Sequence, residues 1–168
     1  PPRSPTRLAQ DLGPTLQSRP AVKAWTLKSA LNDAERASSE IVDAAKAAFA
    51  DEKGDLLVNI IVNCADVGGD YKLGQVPVAE FHRMYQVNVL APICVTQALL
   101  PFLPTDRSGR IINISSVPSS MGFATHTLYG GTKAEIKAMT RTWARELPAR
   151  PTVHRVNPGP WEGALSFQ

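Results

Sequence analysis

The sequence predicts an α/β sandwich on a parallel sheet, and two observations carry that prediction. Segments of strand length alternate with segments of helical periodicity along most of the chain, a pattern that yields helices packed on a sheet through right-handed crossovers. The run at 56–62, LLVNIIV, is apolar almost without interruption, as a strand covered on both faces of a parallel sheet requires. Its 168 residues are enough for one domain with a sizeable core, because domains commonly hold roughly 100 to 150 residues.

The elements follow in order. Residues 1–20 are a Pro-rich segment in which Arg7, Leu8, Ala9, Gln10, Asp11 and Leu12 form a short helix after Pro5. Residues 21–27 (AVKAWTL) alternate as a strand does. Asn32 and Glu35 have capping-box spacing, and Ala34, Ala37, Ile41, Ala44, Ala45, Ala48 and Phe49 recur at helical spacing, which predicts a helix over about 33–50. Gly54 breaks it before the apolar strand at 56–62. Gly68, Gly69 and Gly74 mark a loop. Pro77 suits a first helical position, and Phe81, Met84, Tyr85 and Asn88 open a long helix reaching Leu100. A strand at 110–115 (RIINIS), a flexible stretch through Gly122, a helix over about 127–147 and a short strand at 152–156 complete the series. The last strand ends on Asn157, Pro158, Gly159 and Pro160. The core domain is thus placed at 21–160, with 161–168 as a tail.

Composition excludes several classes. Hydrophobic residues at 43% against 20% charged match an ordinary globular protein and rule out disorder over the whole length. A net charge of +3, without a basic run or aromatic-interleaved basic motif, gives no nucleic-acid surface. Apolar stretches are broken by Asn, Gln or Pro short of the roughly 20 residues a membrane-spanning helix needs, and the polar, Pro-rich start does not read as a signal peptide. Cys64 and Cys94 lie in apolar sequence and read as two inert core thiols of a reduced, cytoplasmic protein.

The most informative spacing is Tyr129-Gly-Gly-Thr-Lys133. Residues four apart share a helix face, so the Lys133 ammonium can lie near the Tyr129 phenol. A free Tyr titrates near pH 10, and a neighbouring cation that lowers this by about 2 to 3 units brings it within reach of general acid/base chemistry. Taken alone, the pair is a weak pattern that occurs often by chance and reads more simply as a partly exposed aromatic beside a solvated lysine. Ser116 stands at the end of a predicted strand, where parallel sheets line their ligand crevice. Asn88 precedes Pro92 by four residues, so its carbonyl lacks the usual helical donor; the plain alternative is a kinked helix with a polar surface residue. Hydrolysis through Ser116 or Cys64 with His82, His126 or His154 lacks a Gly-x-Ser-x-Gly elbow, and the three histidines are too scattered for a metal site.

Together, Ile61-Val62-Asn63-Cys64-Ala65, Asn88, Ile112-Asn113-Ile114-Ser115-Ser116, Tyr129-Gly-Gly-Thr-Lys133 and Val156-Asn157-Pro158-Gly159-Pro160 resemble the short-chain dehydrogenase/reductase family. The resemblance spans residues 20–160 in the family's order. It implies a Rossmann-like three-layer sandwich, a nicotinamide cofactor, NADP(H) or NAD(H), and hydride transfer between that cofactor and a ketone or secondary alcohol. Carried over, Tyr129 exchanges the proton with the substrate oxygen and Ser116 holds that oxygen. Lys133 bonds the nicotinamide ribose and lowers the Tyr129 pKa, while the Asn88 main-chain carbonyl anchors a water in a proton relay. Asn63 and Ala65 lie where a strand end meets the cofactor, and Pro158 and Gly159 lie at the nicotinamide end. The helices from about Val78 and Thr127 resemble those that pair in family dimers and tetramers, implying a homo-oligomer.

The chain also departs from the family. Asp66 stands where Asn-Asn-Ala-Gly ends in a bare Gly. The Thr-Gly-x-x-x-Gly-x-Gly turn that holds the pyrophosphate is not found, and Arg3, which could read an adenosine ribose phosphate, reads more simply as an exposed terminal Arg. Trp161, Glu162, Gly163 and Ala164 do not match the family's carboxamide-contacting Thr. The family fold takes about 250 residues, so the chain is read as lacking the first βαβ unit and the C-terminal strand, with Pro1 as an internal cut. Activity and an inactive remnant that serves as a binding or dimerising module are then the two readings. Losing two strands would bare the apolar edge at 56–62, and the strand at 21–27 is expected to pair with it directly or to leave the sheet.

Overall fold

The computed structural model describes residues 27, 29–147 and 151–159, and the body Ala30–Gly159 carries everything that follows. The segment 1–20, the strand expected at 21–27 with its pairing, and the tail 161–168 lie outside the described residues, Leu27 excepted.

The first helix, α1, runs Ala34–Phe49. Its cap is Asp33 rather than Asn32: the Asp33 carboxylate accepts from the Arg36 N–H at 3.3 Å and holds the Arg36 Nε at 3.1 Å. The capping pair therefore moves one residue along, because Arg36 offers this carboxylate both a backbone donor and a cation. Strands β1 (Ile60–Asn63), β2 (Arg110–Ile114) and β3 (Thr152–Val156) form a parallel sheet in that order. Ile61 pairs with Ile111 and Ile111 with Val153, and Asn63 pairs with Asn113.

β1 is shorter than the run at 56–62 predicts. Its approach peels off the sheet, and the Val58 N–H donates to the Phe102 carbonyl at 2.9 Å. It is also not covered on both faces by the described residues. Ile61 is 5% exposed, but Ile60 and Val62 are 57% and 54% exposed, the alternation of a strand with one packed face.

The chain then runs through α2 (Val78–Tyr85), a wide π turn (Gln86–Leu90), α3 (Ala91–Leu99) and a 3-10 turn (Leu100–Phe102). Pro92 causes the π turn in a direct way. It lacks an N–H, and its ring crowds the carbonyl four residues back, while the wider turn lets the Ala91 N–H reach the Gln86 carbonyl instead. The segment Val78–Phe102 is 25 residues long with a mean hydropathy of 1.2 over its most apolar stretch, long and apolar enough to cross a membrane, contrary to the reading of its composition. Here Met84, Val87, Ala91 and Leu99 are buried within the domain.

The stretch read as flexible holds a short helix, α4 (Pro118–Met121). It ends at Gly122, whose φ of 65° favours glycine. α5 spans Thr127–Glu146 and leads back toward β3. The core joins Ile61 and Ile111 to Leu99 and Leu103, with Ile41, Val95, Trp143 and Val153 packed against them. Since Ile61, Ile111 and Val153 are register partners, α1, α3 and α5 all lie over one face of the sheet. Below that layer runs a polar ladder. The Asn63 amide donates to Thr96 Oγ1 at 3.0 Å and to Asn113 Oδ1 at 2.8 Å, and Asn113 donates to Thr140 Oγ1 at 3.0 Å. The pair of inert core thiols is corrected: Cys64 is exposed and Cys94 only partly buried, because the loop after β1 turns Cys64 outward.

Candidate active site

The connections that follow β1 and β2 meet the start of α5 at the carboxyl ends of the strands, where parallel sheets build ligand sites. β1 runs into the loop carrying Cys64, Ala65, Asp66 and Val67, β2 runs into Ser115 and Ser116, and α5 presents Tyr129 and Lys133 one turn apart. The loop after β1 is pinned by Asn88. Its side-chain amide accepts from the Val67 N–H at 2.8 Å, donates to the Val67 carbonyl at 2.8 Å and donates to Thr132 Oγ1 at 3.1 Å. Asn88 is therefore a buried anchor on the π turn, 2% exposed, rather than a polar surface residue on a kinked helix.

Thr132 in turn donates to the Tyr129 carbonyl at 2.8 Å, and Ser115 Oγ donates to the Lys133 carbonyl at 2.8 Å. The Ser115 bond ties the first turns of α5 to the end of β2, while the Thr132 bond closes within the helix. Neither Thr132 nor Val67 stood out in the sequence; the signal for Thr132 is only that it sits between the Tyr and the Lys.

Tyr129 and Lys133 are both buried. The Lys133 Nζ reaches the Ile114 carbonyl at 3.1 Å and the Asp66 Oδ2 at 2.9 Å. The same Oδ2 accepts from the Tyr129 Oη at 3.1 Å. The ammonium lies 5.6 Å from the centre of the Tyr129 ring, and the Ser116 hydroxyl is near enough to the phenol to pull its pKa down. The expected lowering of the Tyr129 pKa by Lys133 is reversed: burial and then the Asp66 charge push it up to about 12, against a smaller downward pull from Ser116. Asp66 accepts from both groups, so the lysine's charge faces this carboxylate as well as the phenol.

Of the residues singled out, the fold brings together Ser116, Tyr129 and Lys133, with Asn88 behind them. Asn63 turns its side chain down into the polar ladder, so its main chain is what faces the strand end. Ala65 is exposed beside Asp66, and Pro158 and Gly159 are exposed just past β3. His126 caps α5, pairs with Asp70 at 2.9 Å and packs edge-on to Tyr129 with ring centres 5.8 Å apart.

A parallel sheet with a Tyr-x-x-x-Lys helix and a serine at the neighbouring strand end defines a class, and the family profile for short chain dehydrogenase matches residues 7–166. The chain belongs to the short-chain dehydrogenase family. It is 42% identical over 168 residues to an L-xylo-3-hexulose reductase of Hypocrea jecorina, covering 94% of this chain and 55% of that protein. It is 43% identical over 161 residues to an L-xylulose reductase of Aspergillus niger, covering 91% and 54%. The chain thus spans about half the length of the curated relatives it matches. Among solved structures, a blue fluorescent protein from a metagenomic library in complex with NADPH is similar at a TM-score of 0.79 and 29% identity, covering 95% of this chain and 61% of that one. The Rossmann-like fold is therefore that of the family.

Proposed function

We propose that this chain is the catalytic segment of an NAD(P)(H)-dependent oxidoreductase that interconverts a ketone and a secondary alcohol. The observation that carries the reading is the convergence of Ser116, Tyr129 and Lys133 at the carboxyl end of β2. The two ketose reductases among its relatives favour a small sugar as the carbonyl substrate. In this reading Ser116 holds the substrate oxygen and Tyr129 donates its proton to it as the carbonyl is reduced. Asn88 holds the loop to the helix through its side chain, and its main-chain carbonyl would anchor the water of a proton relay.

The residues present fit the nicotinamide half of the cofactor by their donor chemistry. Lys133 Nζ has three N–H groups, of which Asp66 and the Ile114 carbonyl take two, leaving one for a ribose hydroxyl. Asn63, Ala65, Pro158 and Gly159 would border it with backbone. A bound reduced nicotinamide supplies the hydride. Surface apolar groups on Val78, Phe81 and Leu90 favour a homo-oligomer through the Val78–Phe102 segment, readable by light scattering.

The test is a nicotinamide-fluorescence titration with NADPH, followed by turnover of L-xylulose. Micromolar binding with turnover lost in Tyr129→Phe, and cofactor binding nearly intact in that variant, supports the reading. No binding at millimolar NADPH, or an unchanged rate in Tyr129→Phe, overturns it. A second reading, a family member that binds without catalysis, draws support from the Asp66 carboxylate seated on both Lys133 and Tyr129. Binding without turnover would select it.

A further inference from the structure

Asp66 stands where the family pattern has a bare Gly, and it touches both functional groups of α5. Its Oδ2 accepts from Tyr129 at 3.1 Å and from Lys133 at 2.9 Å. The loop that carries it cannot drift, because Asn88 holds both backbone groups of the next residue, Val67. We propose that Asp66 is a positioning residue that keeps the proton on Tyr129, by sharing one carboxylate oxygen between the phenol and the ammonium.

The chemistry follows from what each group can do. An ionised carboxylate only accepts hydrogen bonds, so the contact from Tyr129 exists only while the phenol keeps its proton. Removing that proton would set two anionic oxygens against each other across 3.1 Å. Lys133 does not relieve this, since its charge already faces Asp66 and another of its donors is committed to the Ile114 carbonyl. The Tyr129 pKa, pushed up to about 12 by burial and by Asp66, is in line with that geometry.

The other charged groups near the phenol do not offset Asp66. On α5 and its cap, His126 packs edge-on to the ring and is paired with Asp70. From α2, Arg83 donates to the Gly68 carbonyl beside the ring and is paired with Glu80 at 2.7 Å. The β2 side brings only the neutral Ser116 hydroxyl.

This inference rests on the reading of Tyr129 as the proton-transfer group. It gives that group a direction: the site offers a proton across neutral pH and accepts one only at strongly alkaline pH. Where Asp66 is absent, the buried Lys133 ammonium is left to favour the phenolate, and the site accepts a proton closer to neutrality.

The decisive measurement needs no cofactor. Tyrosinate ultraviolet difference absorbance is followed against pH in the wild-type chain, in Asp66→Asn and in Asp66→Glu, each against the same protein with Tyr129→Phe to isolate Tyr129. In the wild type Tyr129 is expected to stay protonated where free tyrosine is half ionised, near pH 10. Asp66→Asn should raise the phenolate fraction at a fixed pH by about ten-fold or more, the equivalent of one pKa unit, and Asp66→Glu, which keeps the carboxylate, should resemble the wild type. Ionisation of wild-type Tyr129 at or below pH 10, or an Asp66→Asn curve that overlays the wild type, overturns the proposal. Wild-type ionisation at or below pH 10 overturns the proposal even where Asp66→Asn does not fold. A chain that neither binds NADPH nor turns over leaves this titration intact, so the two readings fail separately.

Discussion

Replacing Asn88 by Ala tests whether the loop after β1 is held by one side chain. Asn88 is 2% exposed and makes three bonds, two to the backbone of Val67 and one to Thr132. Ala removes all three and leaves the Val67 N–H and carbonyl without that partner. A buried polar group left unsatisfied costs about 1 to 3 kcal/mol. Two such groups, partly rescued by water entering the space, give an expected loss of about 2 to 4 kcal/mol. Urea unfolding followed by far-ultraviolet circular dichroism reads this directly. With a slope of about 2 kcal/mol/M the midpoint should fall by about 1 to 2 M at unchanged slope. Asn88→Asp should lose nearly as much, because a carboxylate keeps the acceptor for the Val67 N–H but cannot donate to the Val67 carbonyl or to Thr132. A loss below about 0.5 kcal/mol, the range of an ordinary surface substitution, would refute the anchoring role.

Two further outcomes are expected. A Tyr129 pKa of about 12 in the folded chain against 10.0 unfolded means the native state holds the extra proton between those values, so stability is full below pH 10 and declines through pH 12. The two-unit shift amounts to roughly 2.7 kcal/mol; wild type should lose that much more than Tyr129→Phe over this range, and parallel stability curves would count against it. Cys64 is exposed, whereas burial and then the Glu35 charge push the partly buried Cys94 thiol up, so a disulfide reagent should label Cys64 first in the folded protein. If the fast phase survives Cys64→Ser, the assignment is wrong.

Helices were legible because their periodicity is long and redundant. The apolar residues of α1 recur every three to four positions, and a one-residue error in the cap leaves the helix where it was. The limits of β1 were not legible from LLVNIIV. Val58 packs on the core without belonging to the strand, while Ile60 and Val62 belong to the strand with most of a side chain exposed. Apolarity reports burial only on average, and here the hydrogen-bond partner decides: Val58 bonds the end of the 3-10 turn and Ile60 pairs with Arg110 in β2. The effect of Pro92 was half legible. Sequence shows that the Asn88 carbonyl loses its helical donor, but the π turn that absorbs the mismatch and buries the Asn88 side chain depends on what that side chain can reach. What it reaches is the backbone of Val67, and a backbone amide has no signature of its own.

The active-site pair shows the same limit. Four-residue spacing correctly puts Tyr129 and Lys133 on one face of α5, and a cation near a phenol by itself favours the phenolate. The sign then depends on any third charge. Asp66, 63 positions away in sequence, sets its oxygen 3.1 Å from the phenol, while the ammonium lies 5.6 Å from the ring centre. Burial is the larger cause of the upward shift, because removing water disfavours the charged form of Tyr129, and the Asp66 charge adds to it. Asp66 was visible in the sequence as a departure from the family's Gly, but its consequence required knowing that the loop after β1 folds over α5 rather than away from it. Asn88 decides that placement, so one buried amide on a π turn determines how a carboxylate on another element sets the proton affinity of the tyrosine.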